Sequence, residues 1–279
     1  MPTRLVVFSL VDWSFAVVRD WAASAGHDIA LLVTRPAKGT APGLQDTSQA
    51  SPETVVMVSP NVRVCEATMS ELEVDLAVVF TFLRVPESVA NIPRHGCINL
   101  HPSLLPAYRG ANGLRSLYEG EPRIGATLHY LTPEFDAGAI LAQSSLATPE
   151  DVEPLSALAA LQEASRDCLV AGVPRALAGE PGEEQDASEA TGAPKFSEDE
   201  TVLSYAVSTH LFQCRFSALT LAGIQPMVMV DDEPQPVRAV KRLSGLSAPS
   251  PGVVSSTSRR AIVAAADGVL ELELGKQPF

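Results

Sequence analysis

The 279-residue chain is 46% hydrophobic and 19% charged, which suits a globular protein with a sizeable core and excludes the disordered class, whose apolar surface is too small to offset ordering entropy. A formal charge of −13 and a pI near 4.8 disfavour nucleic acid as a partner, because such affinity rests on Lys and Arg displacing counterions. No run approaches the roughly 20 apolar residues that span a bilayer, and Met1–Ser9 lacks the layout of a leader, so the expected location is cytoplasmic, away from membranes.

Leu5–Phe8 is a short apolar run, Trp13–Ala25 an amphipathic stretch and Ile29–Val33 a second apolar run, which predicts strand, helix, strand. Leu76–Phe80 and Cys97–Leu100 read as further buried strands, Ala126–Leu131 and Ile140–Leu146 as two more, and Pro154–Leu177 carries helical spacing. Strands alternating with helices predict an α/β domain with a mainly parallel sheet covered on both faces. In such sheets ligands gather beyond the carboxyl ends of the strands. The first strand-to-helix turn, Ser9–Ser14, lacks GxGxxG, so a dinucleotide site has no sequence support.

From Gly179 the sequence turns polar, with eight acidic residues and one Lys between Glu180 and Glu200, the composition of a connector with little to bury. Beyond it come short apolar runs: Met227–Val230, Val237–Val240, Gly252–Val254, Ala261–Ala265 and Val269–Leu274. Their close spacing predicts a small barrel or sandwich. Residues 201–279 hold seven basic and six acidic side chains, so a local basic face stays open there. The expected division is a first domain at 1–178, a linker at 179–200 and a β-barrel-like domain at 201–279.

Chemistry-bearing residues concentrate in Gly96-Cys97-Ile98-Asn99-Leu100-His101-Pro102-Ser103-Leu104-Leu105-Pro106-Ala107-Tyr108-Arg109-Gly110. Residues two apart in an extended segment share a face, so Asn99 and His101 project together. Pro102 ends the strand, and Pro106 with Gly110 shapes an irregular loop. Taken singly, an Asn and a His in a loop are more often structural hydrogen-bonders, since buried polar groups need partners. Cys65, Cys97, Cys168 and Cys214 are far apart and form no CxxC pair, which suggests neither a metal site nor a disulfide framework but buried thiols.

The string is followed by Gly125-Ala126-Thr127-Leu128-His129-Tyr130 and Phe135-Asp136-Ala137-Gly138-Ala139-Ile140-Leu141-Ala142-Gln143. Together the three segments resemble the 10-formyltetrahydrofolate-dependent formyltransferase family. Gln185-Asp186-Ala187-Ser188-Glu189-Ala190-Thr191-Gly192-Ala193-Pro194-Lys195 resembles the segment joining the two domains of its methionyl-tRNA members. The resemblance implies a Rossmann-like formyltransferase domain without dinucleotide, a small C-terminal barrel of OB type, 10-formyltetrahydrofolate as formyl donor, and no metal. The family's catalytic Asn, His and Asp fall on Asn99, His101 and Asp136. Its folate loop falls on Phe82, Leu83, Arg84 and Val85, with Thr132, Phe135, Ala137 and Gly138 as the other wall of the pocket; read alone, Phe82, Leu83 and Val85 are equally ordinary core.

A formamide-like donor is a poor electrophile, so attack by an amine requires charge stabilisation at the carbonyl oxygen. The implied donors are an Asn99 N–H and a protonated His101, with Asp136 orienting His101 and taking the amine's proton directly or through water. His129 is implied to be a structural neighbour, and Arg109 and Ser103 to shape the loop. The favoured acceptor is a small-molecule amine. Against methionyl-tRNA stand the acidic charge and the segment Thr34–Gly43, which carries only Arg35 and Lys38 where the tRNA enzyme has a basic insertion, and Ala111-Asn112-Gly113-Leu114 in place of A-A-P-I. A silent folate-binding protein on the same scaffold is the reading of another class.

Overall fold

The structure is a computed structural model, and it describes residues 2–36, 44, 46–246 and 250–276. In chain order its strands and α-helices are β1 (Arg4–Ser9), α1 (Asp12–Ala25), β2 (Asp28–Thr34), β3 (Val55–Val58), α2 (Glu66–Glu71), β4 (Leu76–Phe80), α3 (Glu87–Ala90), β5 (Cys97–His101), α4 (Arg115–Tyr118), β6 (Arg123–Tyr130), β7 (Ile140–Ala147), α5 (Pro154–Leu177), α6 (Thr209–Leu221), β8 (Met227–Val230), β9 (Glu233–Leu243), β10 (Gly252–Ser256), β11 (Arg260–Ala264) and β12 (Val269–Leu274).

The first sheet has the order β3-β2-β1-β4-β5-β6-β7. Strands β1 to β5 run parallel, and β6 is antiparallel to β5. The near-continuous apolar strands explain the parallel part: Val6, Phe8, Ala77, Val79 and Phe80 are buried on both faces of the central strands β1 and β4. A buried Phe of this kind contributes about 1.5–3 kcal/mol relative to an exposed one. The order turns about β1, which pairs with β2 on one side and β4 on the other, so the carboxyl ends of β1, β4 and β5 frame the crevice in which such sheets hold ligands. The Ser9–Ser14 turn at that end is closed by hydroxyls, with Ser14 Oγ 2.7 Å from Ser9 Oγ and 2.5 Å from Thr81 Oγ1.

The second sheet is antiparallel, in the order β10-β11-β12-β9-β8. The chain divides into two compact units: residues 1–110, 125–145 and 161–192 form one, and residues 111–124, 146–160 and 193–279 the other. Helix α6, inside the region read from sequence as strands alone, is an addition. Its buried residues Thr209, Phe212, Gln213, Cys214, Phe216, Ser217, Ala218 and Leu219 surround most of its circumference, so no amphipathic stripe marks it in the sequence. Strand β3 carries too short a strand signal in the sequence to be read, and its Val55, Val56 and Val58 are exposed at a sheet edge.

All four cysteines are free and buried. Burial pushes the Cys65 thiol up to about 11 and those of Cys97, Cys168 and Cys214 up to about 12, which leaves them inert as nucleophiles. No described helix is long and apolar enough to cross a membrane.

Candidate active site

Asn99 and His101 lie two residues apart at the carboxyl end of β5, as strand periodicity requires. Opposite them, β6 sets His129 directly across from Asn99 in the ladder. After β6 the chain loops back so that Asp136 meets both strands. Its Oδ1 accepts from Asn99 Nδ2 at 3.0 Å and its Oδ2 from the Gly110 N–H at 2.7 Å. His101 Nδ1 lies 3.6 Å from Asp136 Oδ2, and His129 Nε2 3.5 Å from Asp136 Oδ1.

Both histidines are pinned at their other nitrogens by main-chain carbonyls. His101 Nε2 is 2.8 Å from the Tyr108 oxygen, and His129 Nδ1 is 2.8 Å from the Tyr130 oxygen. A carbonyl only accepts, so each of those nitrogens carries a proton. The remaining hydrogen of the Asn99 amide points to His129 Nε2 at 3.1 Å. Both Asn99 hydrogens are therefore spent on Asp136 and His129, an arrangement the sequence did not disclose.

The loops that carry these groups are held under strain. Thr81, Tyr108 and Asp136 have φ of 51°, 63° and 50°, the left-handed region that costs a non-glycine residue about 1 kcal/mol or more. Surrounding bonds maintain the conformation. Gln143 Nε2 donates to the Leu105 oxygen and to Thr127 Oγ1, and Thr127 Oγ1 in turn donates to the Ser103 oxygen. Thr191 Oγ1 accepts from the Tyr108 N–H, and Gln185 Nε2 donates to the Asp136 and Gly138 oxygens while its Oε1 accepts from Arg109. The acidic stretch read as a connector thus clamps the loop by polar bonds rather than by burial. Its signal lies in the sequence, since Gln185 and Thr191 belong to the Gln185–Lys195 segment, but spacing alone assigns them no task. Arg109 and Ser103 do shape the loop: Ser103 Oγ donates to the Ala107 oxygen.

Electrostatics separate the two ionisable partners. Burial alone pushes the Asp136 carboxyl up, but in the acid range where it titrates the hydrogen bond that a doubly protonated His129 ring gives it, the charge of His101 and the Gly110 N–H together outweigh burial and hold the group below the ordinary carboxylate range. For His101 burial wins: it lowers the imidazole below its ordinary value, while Asp136 and the Tyr108 carbonyl pull the other way. The two directions favour an ionised carboxylate beside a neutral ring, whereas the resemblance implied a charged His101. That ring keeps its proton on Nε2 and turns the Nδ1 lone pair toward Asp136, with acceptors in place at both nitrogens for a second proton.

The residues expected to hold folate divide in two. Arg84 Nη2 donates to the Pro133 oxygen at 3.1 Å and its guanidinium lies 5.7 Å from the Phe135 ring centroid, so the 81–86 loop and the 132–138 loop meet there. Leu83 and Phe135 expose 46% and 60% of their surface beside that meeting point. Phe82 packs edge-on to Phe8, Val85 is buried in the core beside Val89, and Thr132 Oγ1 donates to the Glu134 oxygen. Ala137 is half-buried, and Gly138 is required, since a Cβ there would fall 1.9 Å from the Tyr130 oxygen. Residues 37–43, which include Lys38 of the segment compared with the tRNA enzyme, lie outside the described residues. Among the described residues no group of three His, Cys, Asp or Glu is placed to hold a metal ion.

The family model described as formyl transferase matches residues 4–173. The chain belongs to the formyl transferase family. Similar family members include the methionyl-tRNA formyltransferase of Nitrosomonas europaea, 32% identical over 56% of this chain and 53% of that protein, and that of Syntrophomonas wolfei subsp. wolfei, 28% identical over 69% and 65%. The matches thus span less than two thirds of those relatives' length. Among solved structures, HypX from Aquifex aeolicus superposes with a TM-score of 0.71 at 16% identity, over 98% of this chain and 44% of that one. WlaRD, a sugar 3N-formyl transferase solved in the presence of dTDP and 5-N-formyl-THF, gives 0.67 at 9% identity over 98% of both chains. At such identities the likeness concerns the fold.

Proposed function

We propose that this protein transfers the formyl group of 10-formyltetrahydrofolate to the amino group of a small molecule, with Asn99, His101 and Asp136 as the catalytic residues of the 1–178 region. The observation that carries the reading is the strained, hydrogen-bonded cluster of Asn99, His101, His129 and Asp136 in a chain of the formyl transferase family. Exposed Leu83 and Phe135 beside Arg84 suit the flat apolar face of a pterin, and the neighbouring backbone of Ala137 and Gly138 lines the same loop. The five-stranded antiparallel sheet supports reading the C-terminal region as the small OB-like barrel that the resemblance implied.

In this mechanism the amine attacks the formyl carbon and its excess proton passes to Asp136, directly or through water, and on to His101 Nδ1. The resulting imidazolium sits between the Asp136 carboxylate and the Tyr108 carbonyl, an environment already built for it. It then returns the proton to N10 as tetrahydrofolate leaves. His101 must be neutral to receive the proton, and its lowered pKa makes it so at and above neutrality. kcat/KM is therefore expected to rise with pH to a plateau whose midpoint lies below about 6.5, the ordinary histidine value. The measurement uses an acceptor whose own amine stays unprotonated throughout the range. A decline with rising pH through that region would instead mean that charged His101 is the active form.

Three observations weigh on the acceptor. The net charge of −13 and full-length likeness to a sugar 3N-formyl transferase favour a small amine. The sequence relatives that are methionyl-tRNA formyltransferases favour tRNA as the second reading. Purified protein incubated with 10-formyltetrahydrofolate and a panel of aminosugar nucleotides, hydroxyornithine and charged initiator methionyl-tRNA, followed by tetrahydrofolate release, separates them. Turnover with a small amine alone is the expected result. Turnover with tRNA overturns the acceptor reading, and folate binding without turnover on any acceptor favours a silent folate-binding protein.

A further inference from the structure

His129, read from sequence as a bystander, has the geometry of a group that decides which end of the Asn99 amide faces the substrate. Its ring is fully enclosed, with 1% exposure. The Tyr130 carbonyl 2.8 Å from Nδ1 demands a proton on that nitrogen, because two acceptors at hydrogen-bond distance repel. In the neutral ring Nε2 is then a bare lone pair, and it lies 3.1 Å from Asn99 Nδ2. On the other side of the amide stands Asp136 Oδ1, at 3.0 Å from the same nitrogen. Rotating the amide by half a turn would set the Asn99 carbonyl oxygen against a carboxylate oxygen and an imidazole lone pair together. One orientation survives, and it leaves Asn99 Oδ1 as the amide's group with no partner among the described residues.

We infer that His129 is a positioning residue which, through its Nδ1–H tautomer, locks Asn99 so that its carbonyl oxygen, rather than its N–H, is presented to the incoming amine. Asn99 Oδ1 accepts one N–H of the amine and aims the nitrogen lone pair at the formyl carbon, while the second amine proton leaves by way of Asp136 and His101. No bond is made or broken at Asn99 or His129. The role rests on the formyl-transfer reading above and specifies how its amine is held.

Three proteins test it: the wild type, His129→Phe and His129→Gln. Phe fills the ring's space but offers no lone pair, so the amide is free to turn, and misaiming a reactant by about 1 Å costs on the order of a hundredfold. His129→Phe is expected to lose about that factor in kcat with KM for the folate donor unchanged. His129→Gln, whose amide oxygen can accept from Asn99, is expected to recover most of the loss. Equal loss in both variants means that His129 acts by packing and overturns the inference, as does full activity in His129→Phe. Nitrogen-15 spectra of the wild-type histidine rings supply a readout independent of how the variants fold: Nδ1 of His129 is expected to be the protonated nitrogen, and an Nε2–H ring would refute the lock. Absence of transfer by the wild type itself would defeat the formyl-transfer reading instead, leaving the tautomer result standing.

Discussion

Asp136→Asn is expected to slow formyl transfer by about 10²–10⁴-fold, the range for loss of a group that moves a proton and steadies the charged partner. The carboxylate accepts from Gly110 N–H and Asn99 Nδ2 with its two oxygens and faces His101 and His129 at 3.6 and 3.5 Å. An amide in its place keeps the shape but supplies one acceptor, so either Gly110 or Asn99 then meets an NH₂ group. Leaving a buried donor unmet costs about 1–3 kcal/mol, which a melting curve will register as a drop of a few degrees in a folded protein. Affinity for the folate donor is expected to change less than the rate does, because the proposed folate contacts, Arg84, Phe135 and the backbone of Ala137 and Gly138, are untouched. Single-turnover rates alongside donor binding separate the two. Transfer within tenfold of the wild type would remove Asp136 from the proton path.

His101→Asn is expected to cost a comparable 10²–10⁴-fold, roughly the contribution of a general base. The decisive comparison is the double variant. The two side chains are proposed to handle one proton in sequence, so removing both is expected to cost little more than the worse single change, the non-additivity of residues that act as a unit. Losses that multiply would show that Asp136 and His101 act on separate steps. His101→Asn also abolishes the bond to the Tyr108 carbonyl, and Tyr108 is already in a left-handed conformation, so the variant's melting temperature must accompany its rate.

How much of this was legible beforehand depends on distance along the chain. The parallel sheet was readable because each strand is a short apolar run, as in Leu76–Phe80, whose burial on both faces follows from composition alone. Asn99 and His101 were readable as a pair because strand periodicity is local. Helix α6 was hidden because it is buried nearly all round, which erases the periodicity that betrays a helix. Strand β3 was hidden because its valines stand at an exposed edge and its pattern is too short to count.

Sequence by itself determined the family, through three motif segments whose spacing leaves little freedom, and with it the candidate trio Asn99, His101 and Asp136. Tertiary structure alone decided what those residues are prepared to do. It brought Asp136 back across β5 and β6, set His129 opposite Asn99, and bound Gln185 and Thr191 to a loop some eighty residues earlier. It also placed His101 where burial outweighs a neighbouring carboxylate, which favours the neutral ring. Proton positions, amide orientation and pKa shifts arise from contacts between residues far apart in the chain, with energies set by distance and solvent exclusion, and no local pattern of residue types encodes those quantities.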